Sequence, residues 1–102
     1  PNFPATSPWV TSVGGTILGN GDSESAWSSS SGGFSNFFPR PSYQDKAVAG
    51  YIAEAGDKLP PQRDYNATGR GYPDVAAMAS GFDIVVGGGH MGVAGTSCAS
   101  PT

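Results

Sequence analysis

Charge is scarce in this chain of 102 residues: Asp, Glu, Lys and Arg make up 13% of it, and eight acids outnumber five bases for a net charge of -3. With no basic patch to neutralise phosphates, nucleic acid is excluded as a partner. Cysteine is nearly missing. The single Cys98 rules out an internal disulfide, so cysteine usage says nothing about compartment. No apolar run approaches bilayer-spanning length, and no membrane partner is expected. Histidine occurs once, as His90, which leaves little choice for chemistry that depends on an imidazole.

Glycine and proline are plentiful instead, 16 and 9, with 11% aromatic residues. That composition describes a loop-rich compact fold, not a disordered tail. Residues 1–8 carry Pro1, Pro4 and Pro8, which exclude helix. Trp9-Val10-Thr11-Ser12-Val13 then has β-branched and aromatic character ended by Gly14-Gly15, predicting a strand that a parallel sheet would bury on both faces. Residues 19–33, rich in Ser, Gly, Asn and Asp around Trp27, predict a long surface loop or hairpin. Residues 41–55 give the clearest helical period. Tyr43, Ala47, Val48, Ile52 and Ala55 share one face, Ser42 and Asp45 resemble a capping box, and Gly56 is a natural stop. The polar stretch 59–71 holds Asn66-Ala67-Thr68, an N-glycosylation sequon usable only on a secretory route. Val75-Ala76-Ala77-Met78-Ala79 and Phe82-Asp83-Ile84-Val85-Val86 read as strands around a Ser80-Gly81 turn. Strands alternating with a helix imply an α/β fold.

The stretch richest in chemistry is Gly95-Thr96-Ser97-Cys98-Ala99-Ser100-Pro101-Thr102. Glycine lets the chain turn sharply before the serine, and Ser97-Cys98-Ala99-Ser100 reads as a first helical turn, where proline is tolerated because the opening N–H groups have no internal partners. Ser97 is either the helix cap or a nucleophile whose oxyanion would face those N–H groups. Cys98 cannot share that role, since consecutive helical side chains point about 100° apart; it is expected to turn inward. A home-grown triad of Ser97 with His90 and Asp74 or Asp83 would need a hairpin to fold His90 back toward the hydroxyl, and an exposed turn histidine fits better. Gly87, Gly89 and Gly92 match the spacing of a dinucleotide-binding fingerprint, yet the helix, second strand and distal acid which that reading needs are missing.

Four motifs place this stretch in context. Val13-Gly14-Gly15-Thr16, Ser31-Gly32-Gly33-Phe34-Ser35, Arg70-Gly71-Tyr72-Pro73-Asp74-Val75-Ala76 and Gly95-Thr96-Ser97-Cys98-Ala99-Ser100-Pro101 follow one another in the order seen in subtilisin-like serine peptidases. With Phe38-Pro39-Arg40-Pro41-Ser42-Tyr43-Gln44, they resemble the sedolisins, or serine-carboxyl peptidases, in their tripeptidyl-peptidase branch. The resemblance implies a mostly parallel, subtilisin-like sheet flanked by helices, with residues 1–102 a piece from the C-terminal half of one catalytic domain. It implies Ser97 as acyl-forming nucleophile and Ser31, Gly32 and Gly33 as cleft-lining, substrate-binding backbone. The glutamate base, its aspartate partner and the aspartate of the oxyanion hole are expected upstream of Pro1, and calcium ligands downstream of Thr102. A carboxylate base suits acid pH, where histidine would already be protonated. Peptide or protein substrates, a monomeric parent and a secreted, lysosomal or vacuolar location complete the expectation. A non-catalytic homologue that keeps the fold as a binding module is the alternative.

Overall fold

A computed structural model describes residues 3–21 and 23–102. The chain divides into two compact units, one formed by the stretch up to Ser12 with Gly32–Pro73, the other by Val13–Ser31 with Asp74–Thr102.

In the first unit, β3 (Gly33–Pro39) pairs antiparallel with β4 (Gly69–Tyr72), matching Gly33 to Tyr72, Phe34 to Gly71 and Pro39 to Gly69. The register slips between Phe34 and Pro39 because the buried Ser35 Oγ accepts the N–H groups of Phe37 and Phe38, at 3.1 and 2.9 Å. A bulge held by a side chain, instead of by the ladder, is the result. After a 3-10 turn (Ser42–Gln44), α1 runs over Asp45–Ala55 and stops at Gly56, whose φ of +46° suits a residue without Cβ. The expected helix is therefore present, but its expected cap is not. Ser42 lies in the 3-10 turn with no capping bond, and the residue before α1 is Gln44. The Gln44 amide does something else: its Nε2 donates to the Gly71 carbonyl and its Oε1 accepts the Gly71 N–H, each at 2.9 Å, as a neighbouring strand would. On the predicted apolar face Val48 is buried, Ile52 and Ala55 are half-buried, and Tyr43 and Ala47 are exposed. Phe34 supplies what those two do not, lying 5.6 Å from the Tyr65 ring and 6.4 Å from Tyr51. Arg70 is wholly buried and donates to the carbonyls of Gly71 at 2.7 Å and Val10 at 2.9 Å, tying residues 60 apart.

The second unit is built on β1 (Val13–Leu18), flanked by antiparallel β2 (Glu24–Ala26) and parallel β5 (Val75–Met78). This strand begins where the sequence predicted one to end. Trp9, expected within it, is 91% exposed, while Gly14 and Gly15 are buried inside it. Close approach explains the shift: an added Cβ on Gly15 would lie 2.7 Å from the Ala79 methyl and 3.1 Å from Trp27 Cε3, so only glycine fits at that point of the strand. Residues 19–33 contain the expected hairpin return, locked by Thr16 Oγ1 donating to Glu24 across 2.6 Å. Beyond the predicted turn at Gly81, β6 (Phe82–Val86) leaves β5 and pairs antiparallel with β7 (Gly89–Val93). Gly87 and Gly88, at φ +60° and +81°, make the tight turn between them. The short helix α2 (Thr96–Ala99) follows, its Ala99 buried.

The chain is thus α/β with small mixed sheets. Only the β1–β5 pairing, of the four among the described residues, is parallel, so antiparallel pairing predominates where a mostly parallel sheet was expected. Among the described residues no helix is long and apolar enough to cross a membrane.

Candidate active site

Ser97 stands in the first turn of α2 and is exposed. The helix starts on backbone bonds alone. Cys98 N–H donates to the Gly95 carbonyl at 2.9 Å, Ser100 N–H to Thr96 at 2.9 Å, and no side chain caps the end. Neither the Ser97 hydroxyl nor its N–H bonds to another described residue, so the capping role open to a serine there is not taken. Gly95 is extended, at φ 162°, and not the sharp turn expected of it. Its value is room: an added Cβ would sit 3.6 Å from Ser97 N and 4.0 Å from Ser97 Oγ. The turn is anchored from below, Gly95 N–H donating to Ala79 O at 2.7 Å and Ala79 N–H to Thr16 O at 2.8 Å. Cys98 is half-buried, and the fully inward residue of this turn is Ala99.

The other expected site residues fall as follows. Ser31 is exposed and closes one segment of the unit that holds Ser97, whereas Gly32 and Gly33 belong to the first unit. Gly32 has a packing reason to be glycine, since a Cβ would meet the Tyr72 carbonyl at 2.8 Å. Gly33 opens β3, which among the described residues is paired on one side only, by β4. Asn66 is half-buried and engaged at both ends of its amide. Nδ2 donates to Ser35 O at 3.0 Å, and Oδ1 accepts Thr68 Oγ1 at 2.8 Å and Thr68 N at 3.2 Å.

His90 lies in β7 and not in the glycine turn. It meets Asp83 of β6 at 2.7 Å, an exposed cross-strand pair, and makes no hydrogen bond to Ser97. Asp74 sits one residue before β5. The fingerprint glycines 87, 89 and 92 lie in the hairpin turn and β7, where no helix opens. A phosphate therefore has no helix N-terminus to meet there. Among the described residues no three His, Cys, Asp or Glu side chains converge to hold a metal ion.

Sequence reasoning passed over Trp27 as a loop marker and Gln44 as a helix residue. Arg70 carried one faint signal, being a lone cation set between Gly69 and Gly71.

No family model matches the chain. Tripeptidyl-peptidase 1 of Bos taurus is 48% identical to it over 107 residues, a match that takes in 99% of this chain and 18% of that protein. Tripeptidyl-peptidase SED2 of Arthroderma otae is 46% identical over 101 residues, covering 99% of this chain and 16% of that protein. Nearly the whole chain is thus similar to a segment of the sedolisin tripeptidyl-peptidases. Tripeptidyl-peptidase 1 of Homo sapiens matches similarly, at 46% over 105 residues. The chain spans less than a fifth of the length of these relatives.

Proposed function

We propose that this chain is the nucleophile-bearing part of a serine-carboxyl peptidase that cleaves peptide bonds at acid pH and releases tripeptides from free N-termini. The observation that carries the proposal is the Ser97 hydroxyl, exposed and without a hydrogen bond in the first turn of α2, in a chain nearly half identical to tripeptidyl-peptidases along its whole length. In this reading Ser97 Oγ attacks the carbonyl carbon of the scissile bond, and its proton passes to a carboxylate base outside residues 1–102. The oxyanion that forms faces the Ser97 N–H, which no described residue occupies. The amine leaves with the proton, and water then hydrolyses the Ser97 ester. Substrate is bound by the backbone of Ser31, Gly32 and Gly33, in the way extended peptides add a strand to a neighbouring chain.

The same reading sets these strands within a larger subtilisin-like parallel sheet. It also makes the parent a monomer, secreted or resident in a lysosome or vacuole, with calcium bound outside this chain. Asn66 is then a glycan acceptor. Its Nδ2 has one N–H on Ser35 O and a second to give up.

Ser97→Ala in the parent protein is the test, read by release of tripeptides from an unblocked peptide at acid pH. Loss of turnover supports the proposal, and retained turnover refutes it. The 1–102 chain alone should not turn over a tripeptide amide, since an unaided serine is a poor nucleophile. Ser97-dependent turnover by that chain would show that the base lies within it.

A further inference from the structure

We infer that Gly15, Ala79 and Trp27 form a seat that positions the Ser97 turn, so that the second glycine of the Val13-Gly14-Gly15-Thr16 motif is a positioning residue for the nucleophile. The inference rests on the reading of Ser97 as nucleophile and concerns only the unit formed by Val13–Ser31 and Asp74–Thr102. Three side chains border the space where Gly15 lacks a Cβ: the Ala79 methyl at 2.7 Å, Trp27 Cε3 at 3.1 Å and Thr96 Cγ2 at 3.5 Å. Thr96 immediately precedes Ser97. Trp27 is fixed by its N–H donating to Gly15 O at 3.0 Å, and Gly15 N–H donates to Ser30 Oγ at 2.9 Å, so the loop that carries the indole is bound to β1 at both ends. Ala79, wholly buried, is the link. Its N–H donates to the Thr16 carbonyl, and its own carbonyl accepts the Gly95 N–H.

A methyl group on Gly15 cannot be absorbed at this point. At 2.7 Å from another methyl something must shift, and Ala79 has no flexible side chain to swing away. Its backbone would have to move, carrying Gly95 with it, while Thr96, already in contact with the new methyl, leaves it no room on the other side. The Ser97 hydroxyl moves with the turn. Misplacement of a reacting group by about an ångström can lower a rate about a hundredfold, and it does so in kcat more than in KM because Gly15 need not touch substrate.

The experiment uses the parent protein, a biotinylated fluorophosphonate as the probe of Ser97 reactivity, and steady-state kinetics on a tripeptide amide. All are read well below each variant's unfolding midpoint. Gly15→Ala should slow labelling and lower kcat at least about tenfold, with KM changed less than about threefold. Combining it with Ala79→Gly removes the closest contact and should return most of the rate. Trp27→Phe withdraws the indole edge from the seat and should slow labelling by a smaller factor; it gives the same reading if Gly15→Ala does not accumulate as folded protein. Folded Gly15→Ala, or in its absence Trp27→Phe, labelling at the wild-type rate would overturn the seat while leaving Ser97 as nucleophile. So would a double variant no faster than Gly15→Ala. A Ser97→Ala protein that keeps its labelling would overturn the underlying reading, and this inference with it.

Discussion

A methyl group at Gly95 would probe the chemistry at Ser97 with little effect on the fold. The backbone there is extended, at φ 162°, and the new Cβ would sit in ordinary contact, 3.6 Å from Ser97 N, 3.9 Å from its Cβ and 4.0 Å from Oγ. Folding stability should hold, or rise by about 0.4–1 kcal/mol as the unfolded chain loses freedom. Turnover should not hold. An oxyanion must come within about 2.7–3.1 Å of the Ser97 N–H to be stabilised, and the methyl lies beside both that nitrogen and the attacking oxygen. Removing one oxyanion-hole donor outright lowers kcat by about 10²–10³. Crowding the donor without removing it should forfeit part of that, about tenfold to a hundredfold. In transition-state free energy this is about 1.4–2.8 kcal/mol. The assay pairs kcat on a tripeptide amide with a thermal unfolding midpoint for Gly95→Ala in the parent protein. An unchanged midpoint with an unchanged kcat would refute the placement of the reaction over Ser97 N–H.

Other perturbations separate packing from chemistry. Arg70→Met leaves the Val10 carbonyl without its guanidinium donor and the Gly71 carbonyl with Gln44 Nε2 alone; at about 1–3 kcal/mol for a buried group left unmet, it should lower stability by about that amount in urea unfolding. A loss under about 0.5 kcal/mol, the range of ordinary surface changes, would show that the guanidinium is no structural tie. Gly69→Ala drives a Cβ into the Ser35 carbonyl and should cost about 3 kcal/mol or more, with loss of amide-exchange protection in β3 and β4. Unchanged protection there would contradict the packing described. His90→Gln removes an exposed pair with Asp83 worth about 0.2–1 kcal/mol and should leave kcat unchanged. A drop of about 10²-fold or more would instead make His90 the base.

What the sequence showed and what it hid divide along a physical line. α1 was legible because its period, and a glycine that tolerates φ +46°, are local properties. The helical turn around Ser97 was legible because a small-residue run after a glycine is a local pattern too. The strand at Trp9 was misplaced because β-propensity favoured Trp and Val over Gly14 and Gly15, while the fold chose the glycines for the closeness of Ala79 and Trp27. No local count contains that contact, since Ala79 lies 64 positions beyond Gly15. Gln44 and Arg70 were hidden for the same reason, their partners being carbonyls far along the chain. Strand direction is not a local property either. Val75-Ala76-Ala77-Met78 and Phe82-Asp83-Ile84-Val85-Val86 read alike as strands, yet one continues β1 in parallel and the other turns back on β7.

The bareness of Ser97 is itself a product of these distant contacts. A serine at the cap position of a helix accepts an N–H of the first turn with its side-chain oxygen. Here Gly95, without a side chain, holds the cap position, and its own carbonyl takes the Cys98 N–H. Glycine in place of a capping side chain costs only a few tenths of a kcal/mol, a loss the anchoring of Gly95 N–H on Ala79 O helps to offset. Ala79 can reach Gly95 because it lies against β1, and it lies against β1 because Gly15 has no Cβ. The hydroxyl is thus left without a structural task by a strand 82 positions earlier in the chain, counted from Gly15 to Ser97. A motif search that stops at the serine misses the residues that keep it available.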